Sequence, residues 1–174
     1  MYKTKKPAKD PNDKAKAYEY AVFLLSLRLR TIGEVLDKMK ARGYTELVKS
    51  EVISQLVNQK YLNDQRYGEV YLENMKTYKN FGFYGIQKKL FEKKLPRDLV
   101  GQLLEEGFSE KEEKKIAMRF LKKEGILVLE KKSDEEQVKY FEYNDKLAKE
   151  NQRVFLKLKA RGFRSSVISS LALN

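Results

Sequence analysis

Val35-Leu36-Asp37-Lys38-Met39-Lys40-Ala41-Arg42-Gly43-Tyr44 and Val154-Phe155-Leu156-Lys157-Leu158-Lys159-Ala160-Arg161-Gly162-Phe163 are two copies of one pattern. Each copy is followed by Val-Ile-Ser-x-Leu: Val52, Ile53, Ser54 and Leu56 after the first, Val167, Ile168, Ser169 and Leu171 after the second. Two short matches in the same order indicate a duplicated structural unit. A duplicated unit offers an extended surface to a long partner more readily than a single catalytic pocket.

Around these copies the apolar residues recur at helical spacing. Ala17, Tyr20, Ala21 and Leu24 make one stripe, and Tyr18, Val22, Leu25 and Leu29 a second, so the first helix packs on two sides. Thr31-Ile32-Gly33-Glu34 reads as a capping box. The helix it opens turns Ile32, Val35, Leu36 and Met39 inward and is stopped by a left-handed Gly43. A third helix over about 46–59 buries Val48, Val52, Ile53 and Leu56. The pattern then recurs. Asp64 caps a helix carrying Tyr67, Val70, Tyr71, Met75 and Tyr78, broken by Phe81-Gly82-Phe83. Ile86 and Leu90 mark the next helix. Pro96 opens another, with Leu99, Val100, Leu103 and Leu104, ended by Gly107. Ser109-x-x-Glu112 is a further capping box, before Ile116, Ala117, Phe120 and Leu121. Ile126-Leu127-Val128-Leu129 fits a strand, a packed loop or a continuing helix. Ser133-x-x-Glu136 restarts a helix with Val138, Phe141 and Leu147 inward.

The expected fold is therefore all-α, an elongated array of tandem three-helix repeats. Residues 1–14 form a mobile basic tail, 15–63 the first repeat, 64–108 the second, and 109–174 a third with a longer first arm. The third repeat ends with the chain, as a piece of a longer protein would.

The composition narrows the function. With 37 Lys and Arg against 25 Asp and Glu, the formal charge is +12, which points to nucleic acid or another acidic surface. No Cys, His or Trp is present, which removes thiol and imidazole nucleophiles, His bases and the usual zinc sites. No Gly-x-x-x-x-Gly-Lys loop appears, and the run Asp134-Glu135-Glu136 resembles a first helical turn more than a magnesium site. The expectation is a protein that is no enzyme and needs no cofactor. The longest apolar run, Ala21 to Leu25, is far short of a membrane span, and no signal peptide precedes it, so a cytoplasmic location is expected.

Aligning the repeats sets Val35 with Ile86 and Val154, and Met39 with Leu90 and Leu158. Lys38 then matches Lys89 and Lys157, and Arg42 matches Lys93 and Arg161. Each second helix thus carries two cations four residues apart, on one face beside its apolar stripe. Such pairs have two uses. Their stems can cover the core edge while the heads stay in water. Alternatively, they form a basic strip tracking a phosphate backbone or an acidic groove, the reading preferred for three matching pairs. Among the aromatics, Tyr20, Tyr71 and Phe120 fall at core spacing. Phe81, Phe83 and Tyr84, at a helix junction with Gly82 and Gly85, are candidates for surface contact such as base stacking.

These residues also carry a resemblance. Arg28-Leu29-Arg30-Thr31-Ile32-Gly33-Glu34-Val35 resembles the Arg-x-Arg-Ser/Thr-x-x-Glu-Leu segment of the RecX family, regulators of the RecA recombinase. Tyr61-Leu62-Asn63-Asp64-Gln65-Arg66-Tyr67 is similar to that family's Gly-Tyr-Leu-Asp-Asp-x-x-Phe junction. Lys79 through Leu95 resembles its Lys-Gly…Ile-x-x-x-Leu-x-x-Lys-Gly stretch, and Lys159-Ala160-Arg161-Gly162-Phe163 with Val167 and Ile168 its last Arg-Gly-Phe element. The match runs from Ala17 on. It departs where Lys60, Asn80 and Lys94 replace glycines, and residues 124–136 look like an insertion. The resemblance implies binding in the groove of the RecA filament on single-stranded DNA, and modulation, usually suppression, of its ATPase and strand exchange. The cations expected to touch filament or DNA are Arg28, Arg30, Lys38, Arg42, Lys88, Lys89, Lys93, Lys157, Arg161 and Arg164. The competing class is a direct nucleic-acid binder of helix-turn-helix type, whose geometry the turns at Gly43 and Gly162 allow.

Overall fold

The computed structural model describes residues 7–124 and 144–171. Among them are nine α-helices: α1 Lys14–Leu27, α2 Ile32–Ala41, α3 Glu46–Asn58, α4 Asp64–Asn74, α5 Phe83–Glu92, α6 Arg97–Gly107, α7 Glu110–Lys123, α8 Asn144–Ala160 and α9 Ser165–Leu171. A π-helical turn, Met75–Lys79, continues α4. No described residue lies in a strand. The fold is an all-α repeat. The apolar segment 126–129 and the helix expected from Ser133, with Val138 and Phe141, lie outside the described residues.

The contacts gather into two compact units, Met1–Tyr71 with Leu90–Val100, and Leu72–Lys89 with Gly101–Asn174. In the first unit, α1, α2 and α3 pack together. Ala17 and Ala21, both fully buried, let α1 approach closely, and Val35, Met39, Val48, Val52 and Leu56 fill the space between the helices. Tyr18, Val22, Leu25 and Ile53 pack at the rim of that core. In the second unit, Leu103, Leu104, Ile116, Phe120, Leu121, Leu158, Val167 and Ile168 are buried. Some apolar positions of the helical pattern face water: Leu29 is exposed beyond the end of α1, and Val70 and Tyr78 are exposed on the α4 segment. There the buried positions are Gly68 and Leu72.

Four helix stops, those of α2, α3, α5 and α8, follow one rule. At each, the residue after the C-cap is left-handed: Gly43 at φ 88°, Lys60 at 61°, Lys94 at 63° and Gly162 at 74°. Each donates its amide to the carbonyl three residues back, and the next residue donates to the carbonyl five back. At Gly43 these bonds run to Lys40 O at 2.9 Å and from Tyr44 to Met39 O at 3.3 Å. At Lys94 they run to Phe91 O and from Leu95 to Leu90 O. This is the Schellman stop, which bonds two of the last-turn carbonyls that the helix itself leaves free. Three of the positions where the chain departs from the RecX glycines, Lys60, Asn80 and Lys94, keep the left-handed backbone that glycine would adopt freely.

The helix starts were partly misplaced by the sequence reading. Asn63, not Asp64, caps α4, its Oδ1 accepting from Arg66 N at 2.8 Å. Asp64 is the first residue of α4, and its carboxylate serves another helix, described below. Thr31 and Ser109 cap α2 and α7 as expected, and at Ser109 the full reciprocal box forms. Residues 7–13, expected within a mobile tail, lie on the first unit. Ala8 N donates to Arg42 O at 2.9 Å, Thr45 N to Pro11 O at 3.2 Å, and Asp13 caps α1.

The two glycine stops differ in surroundings, and so should their mutants. A β-carbon on Gly43 meets nothing nearby, whereas on Gly162 it would overlap the Gly85 backbone. Gly43→Ala is expected to cost about 1 kcal/mol, the left-handed penalty alone. Gly162→Ala should cost clearly more, and Lys60→Gly should gain up to about 1 kcal/mol. Urea unfolding of the three variants measures this. Equal losses for the two alanines would show that the close approach at Gly85 is relaxed in solution.

Candidate functional site

The second helices of the repeat meet other helices end to end, and the same contacts recur in each unit. In the first unit, the N-terminus of α2 abuts the C-terminus of α5. Thr31 Oγ1 donates to Lys93 O at 2.6 Å, and a β-carbon on Gly33 would collide with Lys94. In the second unit, the N-terminus of α5 abuts the C-terminus of α8. Gly82 N donates to Arg161 O at 3.1 Å, and Tyr84 N to Gly162 O at 2.8 Å. Thr31 and Gly82 are equivalent in the register, as are Lys93 and Arg161. Each junction sets the positive end of one helix dipole against the negative end of another.

A carboxylate locks each junction. Asp64 Oδ1 accepts from Ile32 N at 2.8 Å, and Glu113 Oε1 from Phe83 N at 2.9 Å. Ile32 and Phe83 are the first residues of α2 and α5, so their amides have no acceptor within their own helix. Asp64 and Glu113 each stand seven residues before an aromatic, Tyr71 and Phe120. Burial raises the Asp64 carboxyl above its ordinary value, against the bond from Ile32 N, with the nearby Glu34 charge adding to the rise.

Those aromatics receive the repeated cations. The Arg42 guanidinium lies 4.1 Å from the Tyr20 ring centre, the Lys93 ammonium 5.7 Å from Tyr71, and the Arg161 guanidinium 4.9 Å from Phe120. Three register-equivalent cations thus sit over three first-helix rings, an attraction of about 0.5–2 kcal/mol each. Arg161 also lies over Phe81 and donates to Lys79 O at 3.2 Å. Lys93 stands 3.8 Å from Glu34.

The remaining candidates divide by environment. Arg28 makes a two-pronged pair with Glu34, both bonds at 3.0 Å. Arg30 Nε donates to Leu24 O at 3.0 Å. Lys157 pairs with Glu124 at 2.6 Å. Arg164 is bound to the fully buried Glu113 through both its side chain and its amide, with Phe83 beneath it. Lys89 is half-buried, Arg28 is exposed but paired, and Lys38 and Lys88 are exposed. The structure therefore gathers Arg42, Lys93, Arg161 and Arg164 into helix junctions and leaves Lys38 and Lys88 open to a partner. Glu113 escaped the sequence reading, hidden in the charged run Glu110–Lys115. Its only signal was its spacing from Phe120. Of the aromatics offered for contact, Tyr84 is exposed, while Phe81 and Phe83 are half-buried under guanidinium groups.

No cluster among the described residues could hold a metal ion, and no described helix is long and apolar enough to cross a membrane. A family model described as "RecX, first three-helix domain" matches residues 17–56, the span of α1 to α3. The regulatory protein RecX of Bacillus velezensis is 29% identical over 159 residues, covering 91% of this chain and 55% of that protein. That of Bacillus subtilis is 29% identical over 155 residues, covering 89% and 53%. Residues 17–56 thus carry a RecX three-helix domain, and the chain resembles RecX proteins along nine-tenths of its length. It spans about half the length of these RecX relatives. The crystal structure of RecX from Lactobacillus salivarius superposes with a TM-score of 0.74 at 23% identity, over 91% of this chain and 94% of that one. A second RecX crystal structure gives 0.72 at 21% identity. Both carry the same fold.

The Arg28–Glu34–Lys93 cluster makes stability depend on pH. Burial pushes the Glu34 carboxyl up, but the Arg28 hydrogen bonds and the Arg28 and Lys93 charges outweigh it and hold it below its ordinary 4.5. A depressed carboxyl contributes stability above its unfolded value and loses it as pH falls through the folded one. Glu34→Gln should therefore flatten the loss of unfolding free energy below about pH 4.5. Urea titrations of both proteins across that range test it, and parallel curves would count against the cluster. At the second junction, Glu113→Ala strands Arg164 and two amides, and should cost about 3–5 kcal/mol.

Proposed function

We propose that this chain is a non-catalytic regulator that binds the RecA filament on single-stranded DNA and modulates, in the inhibitory direction, its ATPase and strand exchange. Its setting would be recombination and DNA repair in the cytoplasm. The observation that carries the reading is the match to regulatory RecX proteins along nine-tenths of the chain. The +12 charge supports it, because a groove holding DNA is acidic. With repeat boundaries at 15–63, 64–108 and 109–174, α2, α5 and α8 become equivalent helices. Each carries one cation used for packing (Arg42, Lys93, Arg161) and one a turn earlier (Lys38, Lys89, Lys157).

That division sharpens which cations would meet a partner. Arg42 and Arg161 hold helix ends, so reversing them would weaken binding by disturbing the fold. Lys38 and Lys88 are exposed and free of that duty. Lys38→Glu with Lys88→Glu is expected to weaken filament binding with the thermal midpoint unchanged, since exposed charges add little stability.

Co-sedimentation tests the reading directly. The chain should pellet with RecA assembled on single-stranded DNA at concentrations where RecA alone and DNA alone retain little. Equal retention by bare DNA would favour the rival, a helical regulator of helix-turn-helix type in which α2 and α3 flank the Gly43 turn. An unchanged filament ATPase in the presence of bound chain would remove the regulatory half of the proposal.

A further inference from the structure

The π-helical turn Met75–Lys79 is the irregular element of the fold, and the chain devotes three cations to holding it. Arg119 donates to Asn80 Oδ1 at 2.8 Å and to the Lys76 carbonyl. Lys76 Nζ donates to Gly107 O at 3.0 Å and pairs with Glu112 at 3.1 Å. Arg161 donates to Lys79 O at 3.2 Å. The turn ends in a left-handed Asn80 at φ 51°. Helical irregularities of this kind are uncommon and gather at functional sites. All this bracing is made by backbone carbonyls and inward side chains. What the turn presents outward is Thr77, Tyr78, which is 73% exposed, and Lys79.

At the start of α5 the arrangement repeats. Tyr84 is 55% exposed, and the exposed Lys88 follows four residues on, on the same face. Packing does not ask for these residues. In the register, Tyr84 and Lys88 match Gly33 and Asp37, and Tyr78 matches Leu27 at the end of an ordinary helix. Residues 75–91 contain four Lys and no Asp or Glu. Six residues separate the two rings, at most about 20 Å of chain, so one strand can reach both.

We infer that Tyr78 and Tyr84 form a stacking platform for single-stranded DNA, with Lys79 and Lys88 on its phosphates. Exposed rings beside cations suit unpaired bases, whose faces are open. A duplex hides those faces, and an apolar protein surface calls for aliphatic side chains without flanking charge. The inference rests on the single-stranded part of the proposed function and assigns it a place.

The chain has no Trp, so Tyr78→Trp and Tyr84→Trp each introduce a lone indole that can be excited apart from the tyrosines. Titrated with oligo-dT in the absence of RecA, both indoles should be quenched saturably. Alanine at either tyrosine should weaken oligo-dT binding by roughly 5- to 100-fold with an unchanged circular dichroism spectrum. Lys79→Ala and Lys88→Ala should each lower the log–log salt slope by about 0.7. Oligo-dT bound by anisotropy with unchanged indole emission overturns the platform, as does quenching by RecA filaments but not by oligo-dT. A chain that co-sediments with filaments while its Trp variants ignore oligo-dT loses this site and keeps the filament reading. Quenching without co-sedimentation does the reverse.

Discussion

The structure depends on how a helix is ended. A left-handed residue after the C-cap turns the last carbonyls inward to be bonded, and sets the following chain at a fixed angle. At α5 and α8 that geometry does a second thing. It leaves the carbonyls of Lys93, Arg161 and Gly162 pointing out of the helix end, where Thr31, Gly82 and Tyr84 bond them. The start of one helix is thereby seated on the end of another. Asp64 and Glu113 complete the seat by accepting from first-turn amides that a helix cannot satisfy itself. Even Ala8 follows the scheme, its amide bonding the Arg42 carbonyl at the end of α2.

This constraint explains why cations recur in the repeat. A residue at the C-cap of a second helix lies beside the first helix, so a long cation there covers an aromatic ring and faces the negative end of the helix dipole. Arg42, Lys93 and Arg161 are that residue. The basic character read from their recurrence is therefore in part a packing device. The proposed contact site lies where the repeat is broken: Tyr78 and Tyr84 have no aromatic counterpart in the first repeat's register, and the π turn matches the end of an ordinary helix.

Much of the fold was legible in the chain. The duplicated Lys-Ala-Arg-Gly pattern fixed the second helices, and the apolar periods of Ala17 to Leu24 and Val48 to Leu56 fixed their neighbours. The glycine stops followed from glycine's freedom at positive φ. The stops at Lys60 and Lys94 were harder, because lysine carries no such signature. Only their place in the family motif hinted at a left-handed turn. The burial of Glu113 and Arg164 was illegible for a different reason. Ion pairs between residues 51 apart leave no local pattern, and a run such as Glu110–Lys115 looks alike whether its members are solvated or enclosed. The π turn was illegible too, since Met75 to Lys79 continues an ordinary helical sequence.

The seating of helix on helix is tested most directly by amide hydrogen exchange at Ile32 and Phe83. First-turn amides ordinarily exchange quickly, having no acceptor within the helix. Here the Asp64 and Glu113 carboxylates hold them, so both should exchange as slowly as the helix-interior amides of Met39 and Leu90. Exchange at the rate of an open chain, with those interior amides still protected, would contradict the account: the helices would form, but their ends would not be joined.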